Sequence, residues 1–272
     1  MKRAPIFALI ASSVGVVGSM LVACGAVYPE VVTTLRAPEA GAVLAPPPPD
    51  DLYYLYFEGA TIPGRTRDGR QWPSGGPTTY AKLKMGDTTV IQTPAEPSTR
   101  KPTWPKQERK NYRISTDADL TIELWVNDAI QDKPLCQVTV LDLPHLRDGG
   151  RADFDCDSGA TISLGVEPAH AVVGLGFYYE LRGSEGVRVT RVLAHSPASR
   201  AGLKPGTRIQ TIQGKSVVPM DALQVRSTMN ANSRAGVRLD VEQADGSRKV
   251  ITLTEGAIYP LPDEGVDLTS PS

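Results

Sequence analysis

The chain lacks most of what marks an enzyme or a nucleic-acid-binding protein. Only three histidines occur (His145, His170 and His195), and no Cys-x-x-Cys or His-x-x-x-His spacing is present, so there is no metal-site signature. No Gly-x-Ser-x-Gly stretch is present either, which removes the usual sequence mark of a serine nucleophile at a strand-to-helix turn. Basic residues are not in excess: 29 Lys and Arg stand against 30 Asp and Glu. That balance points away from nucleic acid and from an anionic membrane surface as partners. Long helical periodicities are missing. Short runs of valine and tyrosine, separated by turns drawn from 25 glycines and 23 prolines, favour mostly β structure.

The N-terminus carries the most specific local signal. Met1-Lys2-Arg3 precedes an apolar run over residues 5–20, and Leu21-Val22-Ala23-Cys24 ends it. A positive start, an apolar stretch and small residues describe an export signal. The run contains Ser12, Ser13, Gly15, Gly18 and Ser19, and it is short for a spanning helix, which needs roughly 20 apolar residues. Leu-Val-Ala-Cys resembles the lipobox of bacterial lipoproteins. The resemblance implies a signal peptide over 1–23, a diacylglyceryl thioether on Cys24, and acylation of the new amino terminus, for instance with palmitate. Gly25 follows, where many lipoproteins retained at the inner membrane carry aspartate. The implied location is the bacterial outer membrane, lipid-anchored and facing the periplasm. Loss of Lys2 and Arg3 leaves 27 basic residues against 30 acidic ones in the mature chain.

With Cys24 given to the lipid, Cys136 and Cys156 remain as an even pair in an oxidising compartment, which points to a disulfide rather than two buried thiols. Residues 24–50 read as an Ala/Pro-rich tether. Pro46-Pro47-Pro48-Pro49 favours an extended polyproline segment that holds the folded part away from the bilayer. Residues 258–272 lack periodicity and read as a flexible tail.

Two folded blocks lie between. In the first, over 51–167, strands are expected at 52–57, 80–85, 88–93, 112–115, 120–126 and 136–140, with turn signals between them, as in an antiparallel sandwich. This block resembles the calcium- and phospholipid-binding C-two (C2) domain. The carriers are Gly59-Ala60-Thr61-Ile62-Pro63, Pro77-Thr78-Thr79-Tyr80-Ala81-Lys82-Leu83, Lys101-Pro102-Thr103-Trp104-Pro105 and Leu120-Thr121-Ile122-Glu123-Leu124-Trp125-Val126. Calcium takes six to eight oxygens, mostly from clustered aspartates. Here Asp68, Asp128 and Asp132 are the candidates, but Gly76 and Val126 stand where the family places carboxylates. The calcium chemistry is therefore not carried over, and no cofactor is expected.

The second block, over 168–257, has Gly174-Leu175-Gly176-Phe177, an alternating strand over 186–192, and Ser196-Pro197-Ala198-Ser199-Arg200-Ala201-Gly202-Leu203-Lys204-Pro205-Gly206. A strand at 207–212 with the turn Gln213-Gly214-Lys215, a helix at 220–229 and strands at 237–243 and 249–254 follow. In that order these elements resemble a PDZ domain, a small barrel-like sheet with a late helix. Thr207 departs from the aspartate usual after the glycine.

Consecutive backbone N–H groups of a glycine loop form a nest for an anion. The resemblance implies that a peptide's terminal carboxylate sits there and that the peptide adds as a strand to 177–181. Leu175, Gly176, Phe177, Tyr178 and Tyr179 are the candidate peptide-binding residues on that side, and Val225, Arg226 and Met229 on the helix. For Val225 and Met229 ordinary core packing is an equal alternative. Gly176→Glu is expected to weaken peptide binding while sparing the fold. Ser196 beside His195 prompts the question of a hydrolase, but both lie in the PDZ pattern and no further catalytic domain is evident.

The expectation is a non-enzymatic envelope adaptor or scaffold. Its membrane link is the lipid and its partners are envelope proteins held by the PDZ groove; no nucleic acid or small-molecule substrate is expected. Alternatives are a calcium- or lipid-responsive membrane adaptor acting through the sandwich, and a regulatory subunit of a separate envelope protease or secretion machine.

Overall fold

The computed structural model describes residues 28–114, 119–140, 150–266 and 268. The signal region with Cys24, and His145, lie outside these. The chain is mainly β.

The first block is a sandwich of two antiparallel four-stranded sheets. One has the order β6 (Lys110–Arg113), β3 (Leu52–Thr61), β10 (Thr161–Pro168), β9 (Gly150–Asp155). The other has β5 (Thr88–Gln92), β4 (Thr79–Met85), β7 (Leu120–Val126), β8 (Lys133–Val140). Inward-facing residues of both sheets, among them Leu55, Phe57, Leu83, Ile122, Leu124, Ile162 and Leu164, form one core. β9 and β10 are additional to the expected strands. Gly165 in β10 faces the Tyr56 ring so closely that a Cβ there would lie 2.3 Å from it. Cys136 on β8 and Cys156 just after β9 are disulfide-bonded, with Cα atoms 5.6 Å apart.

β3 does not alternate as a half-buried strand should, because both of its faces are covered. Tyr53, Leu55 and Phe57 enter the sandwich core. On the opposite face Leu52 packs with Ala169, Ala257 and Tyr259, and Tyr54 stacks on His170 at 3.6 Å. That second face is the contact with the following block.

The second block has a seven-stranded antiparallel sheet in the order β1 (Glu30–Val32), β12 (Phe177–Leu181), β13 (Val187–Val192), β14 (Arg208–Ile212), β16 (Val237–Glu242), β17 (Arg248–Leu253), with β15 (Lys215–Ser216) on β14. A small sheet joins β18 (Gly256–Ile258), β11 (Val172–Gly174) and β2 (Leu35–Arg36). Helix α1 (Pro197–Arg200) is a single turn, and α2 (Ala222–Asn232) starts from a capping box between Asp221 and Gln224. Val225 and Met229, one turn apart on α2, are buried against the sheet. Among the described residues no helix is long and apolar enough to cross a membrane.

Two segments differ from the sequence reading. Within the tether assigned to 24–50, residues 30–36 carry two strands of the second block, β1 and β2, while most of 37–50 is exposed and held at a few contacts. Val31 and Val32 pack half-buried on opposite faces of the sheet and Leu35 is buried, and average composition over the proline stretch hides this short apolar run. Further on, Leu44 joins a buried cluster, Ala257 N–H donates to the Ala45 carbonyl at 3.2 Å, and Tyr259 Oη donates to the Pro46 carbonyl at 2.9 Å. The expected tail from 258 is packed as well: Ile258 closes β18, Tyr259 is buried, and Glu264 Oε1 accepts the Ala194 N–H at 2.7 Å.

Candidate functional site: the β12 edge and its occupant

The glycine loop between β11 and β12 is built for close approach. Gly176 has φ +81°, and a Cβ there would meet Ser196 Cβ at 2.3 Å and Ile258 Cδ1 at 2.8 Å. A Cβ on Gly174 would lie 2.5 Å from the Thr34 carbonyl oxygen. One glycine admits α1 and the other admits the N-terminal segment. The expectation that Gly176→Glu spares the fold is thereby corrected, since no side chain fits. Ser196 is fully buried; its Oγ caps α1 by accepting the Ser199 N–H at 3.1 Å and donates to the Gly176 carbonyl at 3.1 Å. Its hydroxyl serves the fold, while His195 is exposed.

Of the expected peptide-binding residues, the structure brings Leu175, Phe177, Tyr179, Val225 and Met229 into one buried cluster between β12 and α2. Tyr178 points to the opposite face, where the Arg191 guanidinium lies 3.8 Å from its ring centre. Arg226 is exposed on α2. Tyr179 Oη is buried with no protein hydrogen-bond partner, and desolvation raises its pKa above the ordinary phenol range.

The edge of β12 is not free. β1 pairs with it antiparallel, Glu30 opposite Glu180, Val31 opposite Tyr179 and Val32 opposite Tyr178. Thr33 continues the pairing: its N–H donates to the Phe177 carbonyl at 2.9 Å, and its hydroxyl oxygen accepts the Phe177 N–H at 3.2 Å. Register places Val31 on the α2 side, where it packs on the Phe177 cluster, and Val32 on the Tyr178 side. The chain then passes Gly174 into β2. Sequence reasoning missed this occupant, although the β-branched run Val31-Val32-Thr33-Thr34 carries a strand signal.

Charges fasten both ends of the occupant. Glu30 pairs with Arg191 at 3.1 Å. Arg36 pairs with Glu255 at 2.6 Å, and Arg234 bridges Glu39 (2.8 Å) and Glu255 (3.3 Å). Burial works to raise the Glu255 carboxyl, but hydrogen bonds from Arg36 and Ser233 and the charges of Arg36 and Arg234 outweigh it and hold the pKa below the ordinary carboxylate range. Glu30 is held low in the same way: burial opposes, and Thr190 and Arg191 prevail. A cleft of about 280 Å³ remains beside the loop, lined by Thr34, Arg36, Leu175, Ser233, Arg234 and Glu255.

The calcium candidates on the sandwich are engaged within the chain or lie apart. Asp132 accepts the Tyr80 hydroxyl at 2.8 Å and the Asp128 N–H at 3.3 Å. Asp128 pairs with Lys133 at 3.1 Å, and its carboxyl is held low by the Ile130 backbone N–H and by Lys133. Asp68 is exposed in a separate turn. Among the described residues no group of three or more His, Cys, Asp or Glu is placed to hold a metal ion.

A sheet edge beside a helix and next to a glycine loop is a geometry to which an extended strand can add. The PDZ domain family matches residues 163–242, so this part of the chain is a PDZ domain. The match ends before β17 and leaves out β1 and β2. No curated protein matches the chain. Solved structures similar to it include a C2 domain (18% identity, TM-score 0.33, covering 43% of this chain and 96% of that one). Calcium-bound extended-synaptotagmin 2 is another (19%, TM-score 0.35, 46% and 48%), as is human GIVD cytosolic phospholipase A2 (14%, TM-score 0.34, 52% and 18%).

Proposed function

We propose that this protein is a non-enzymatic adaptor, anchored by lipid in the bacterial outer membrane on the periplasmic side, whose PDZ domain holds extended segments of envelope proteins. The observation that carries the binding part is the β12 edge, where an extended strand is already seated by main-chain hydrogen bonds above a buried apolar cluster. Main-chain pairing of this kind supplies affinity, and the side-chain positions between β12 and α2 supply selection. Support for the anchor comes from Leu21-Val22-Ala23-Cys24, which lies outside the described residues.

The test has two arms. Calorimetry of the mature chain, and of a Val31→Asp variant that loosens the seated strand, against a peptide library with free-acid, amidated and internal-sequence members is expected to find binders; a folded Val31→Asp chain that binds no member rejects the adaptor reading. Metabolic labelling with palmitate is expected to mark the wild-type chain and not Cys24→Ala; an unmodified Cys24 by mass spectrometry rejects the anchor.

A further inference from the structure

The ligand edge of the PDZ domain is covered by the chain itself. β1 runs antiparallel to β12, with its C-terminal end towards the glycine loop, and Val31, opposite Tyr179, packs against the core cluster to which Phe177, Val225 and Met229 belong. An added peptide would need these same hydrogen bonds and this same apolar position.

Several features mark β1 as a displaceable occupant rather than an integral strand. It is three residues long and sits at the sheet's edge, paired only with β12. Val31 and Val32 are only half-buried. The one ion pair on β1 itself, Glu30–Arg191, is a surface pair, and such pairs contribute little; the more buried Arg36–Glu255 pair lies beyond it, at β2. Edge segments with few buried contacts open locally at a small fraction of the global unfolding free energy.

The backbone also says which ligand class fits. The occupant does not stop at the loop: it continues through Thr34, whose carbonyl oxygen lies 2.5 Å from where a Gly174 Cβ would be, into β2. The Phe177 N–H is satisfied by a side-chain hydroxyl, that of Thr33.

Resting on the adaptor reading, we propose that residues 28–36 are an intramolecular ligand of the PDZ groove. A partner binds by displacing them with an internal extended segment that offers an apolar β-branched residue in place of Val31 and a hydroxyl in place of Thr33. The groove is closed in the free chain and opens in exchange for a partner strand.

The test uses the mature chain and, as probe, a fluorescein-labelled peptide with the sequence of residues 28–36. Val31→Asp with Thr33→Pro opens the groove by placing a charge on the apolar cluster and deleting the N–H that bonds Phe177. Val32→Cys with Tyr178→Cys, cross-strand neighbours on the far face, locks it; Val32→Cys alone is the control. The apparent Kd is the intrinsic Kd divided by the fraction of time the site is open, so a site open about a tenth of the time or less makes the opened variant bind the probe at least about tenfold more tightly than wild type. The locked variant is expected to bind none. Equal binding by wild-type, opened and locked forms overturns the intramolecular ligand and leaves the adaptor reading standing. A folded opened variant that binds neither this probe nor any library peptide overturns both. Should the opened variant fail to fold, amide exchange of the wild-type chain decides: Thr33 exchanging well ahead of Ile209 and Leu239 supports the proposal, and equal protection overturns it.

Discussion

Thr33 and Phe177 make three hydrogen bonds with each other. The Thr33 N–H reaches the Phe177 carbonyl at 2.9 Å, the Thr33 hydroxyl donates to the same carbonyl at 3.0 Å, and the Phe177 N–H reaches the Thr33 hydroxyl at 3.2 Å. Both residues are almost wholly removed from solvent, so none of these bonds has water as a ready substitute. This pair joins the first described strand to the first strand of the groove, 144 residues apart.

Thr33→Val keeps the shape of the side chain and removes both the acceptor for the Phe177 N–H and the hydroxyl donor to the Phe177 carbonyl. The Phe177 N–H is then buried without a partner, at a cost of about 1–3 kcal/mol to the closed form. Hydrogen exchange read by mass spectrometry is expected to show faster exchange over residues 30–35 with little change at β14 and β16, and Thr33→Ser is expected to restore protection. Wild-type exchange rates in Thr33→Val would show that the hydroxyl does not hold the strand.

Acid is expected to release the same segment. Glu255 and Glu30 both have folded pKa values below the ordinary value of 4.5, so their pairing contributes fully above that pH and is lost as pH falls through the folded value. The groups facing Glu255 are Arg36, Arg234 and Ser233, with Glu39 beside Arg234; those facing Glu30 are Thr190 and Arg191. Protonation frees Arg36 and Arg191 at the two ends of the occupant. Exchange over residues 30–36, corrected for its intrinsic pH dependence, is expected to rise below about pH 4.5, and Glu255→Gln is expected to flatten part of that rise. A profile without this step would assign the closure to Val31 and Thr33 alone.

What was legible in the sequence follows physical period and motif. Tyr80-Ala81-Lys82-Leu83-Lys84-Met85 alternates because only one face of β4 enters the core, and the strand lies where the alternation puts it. The glycine loop, the Ser196–Gly206 stretch and the late helix lie in the expected order because each answers a local demand: a close approach, an N-cap, an amphipathic turn. Legibility fails where a residue's environment comes from far along the chain. Leu52 and Tyr54 are buried by the second block. Gly176 reads as conformational freedom for a nest, whereas the tighter constraint is Ser196, twenty residues on, against its missing Cβ. Val31 reads as part of a spacer because the strand it joins begins at Phe177.

The disulfide gives a prediction independent of the groove. Cys136 and Cys156 are both buried and close a separation of 20 residues. In the chain-entropy account such a loop is worth roughly 3 kcal/mol. Cys136→Ala with Cys156→Ala is expected to lower the denaturant midpoint of the sandwich by a corresponding amount and to leave probe binding by the PDZ domain unchanged. Free thiols in the oxidised wild-type chain, measured by alkylation, would contradict the bond itself.

Asn111 tests the junction between the two blocks. It lies on β6, fully buried, and its side chain serves three backbone groups of the following block. Nδ2 donates to the His170 carbonyl at 2.8 Å and to the Pro260 carbonyl at 3.0 Å, while Oδ1 accepts the His170 N–H at 2.9 Å. The interaction holds the linker in place beneath the Tyr54–His170 stack and pins the C-terminal segment beside it. Asn111→Ala strips all three groups of their partner, and with about 1–3 kcal/mol for each unsatisfied group, partly relieved by water entering, a loss of about 2–4 kcal/mol is expected. Asn111→Asp is expected to be no better, because a carboxylate accepts from His170 but repels the two carbonyls. Calorimetry is the measurement: the wild-type blocks are expected to melt together, and the Asn111 variants to resolve into two transitions, the sandwich and the PDZ domain. A single transition at the wild-type temperature in Asn111→Ala would show that the apolar contacts of Leu52 with Ala169, Ala257 and Tyr259 suffice to couple the blocks.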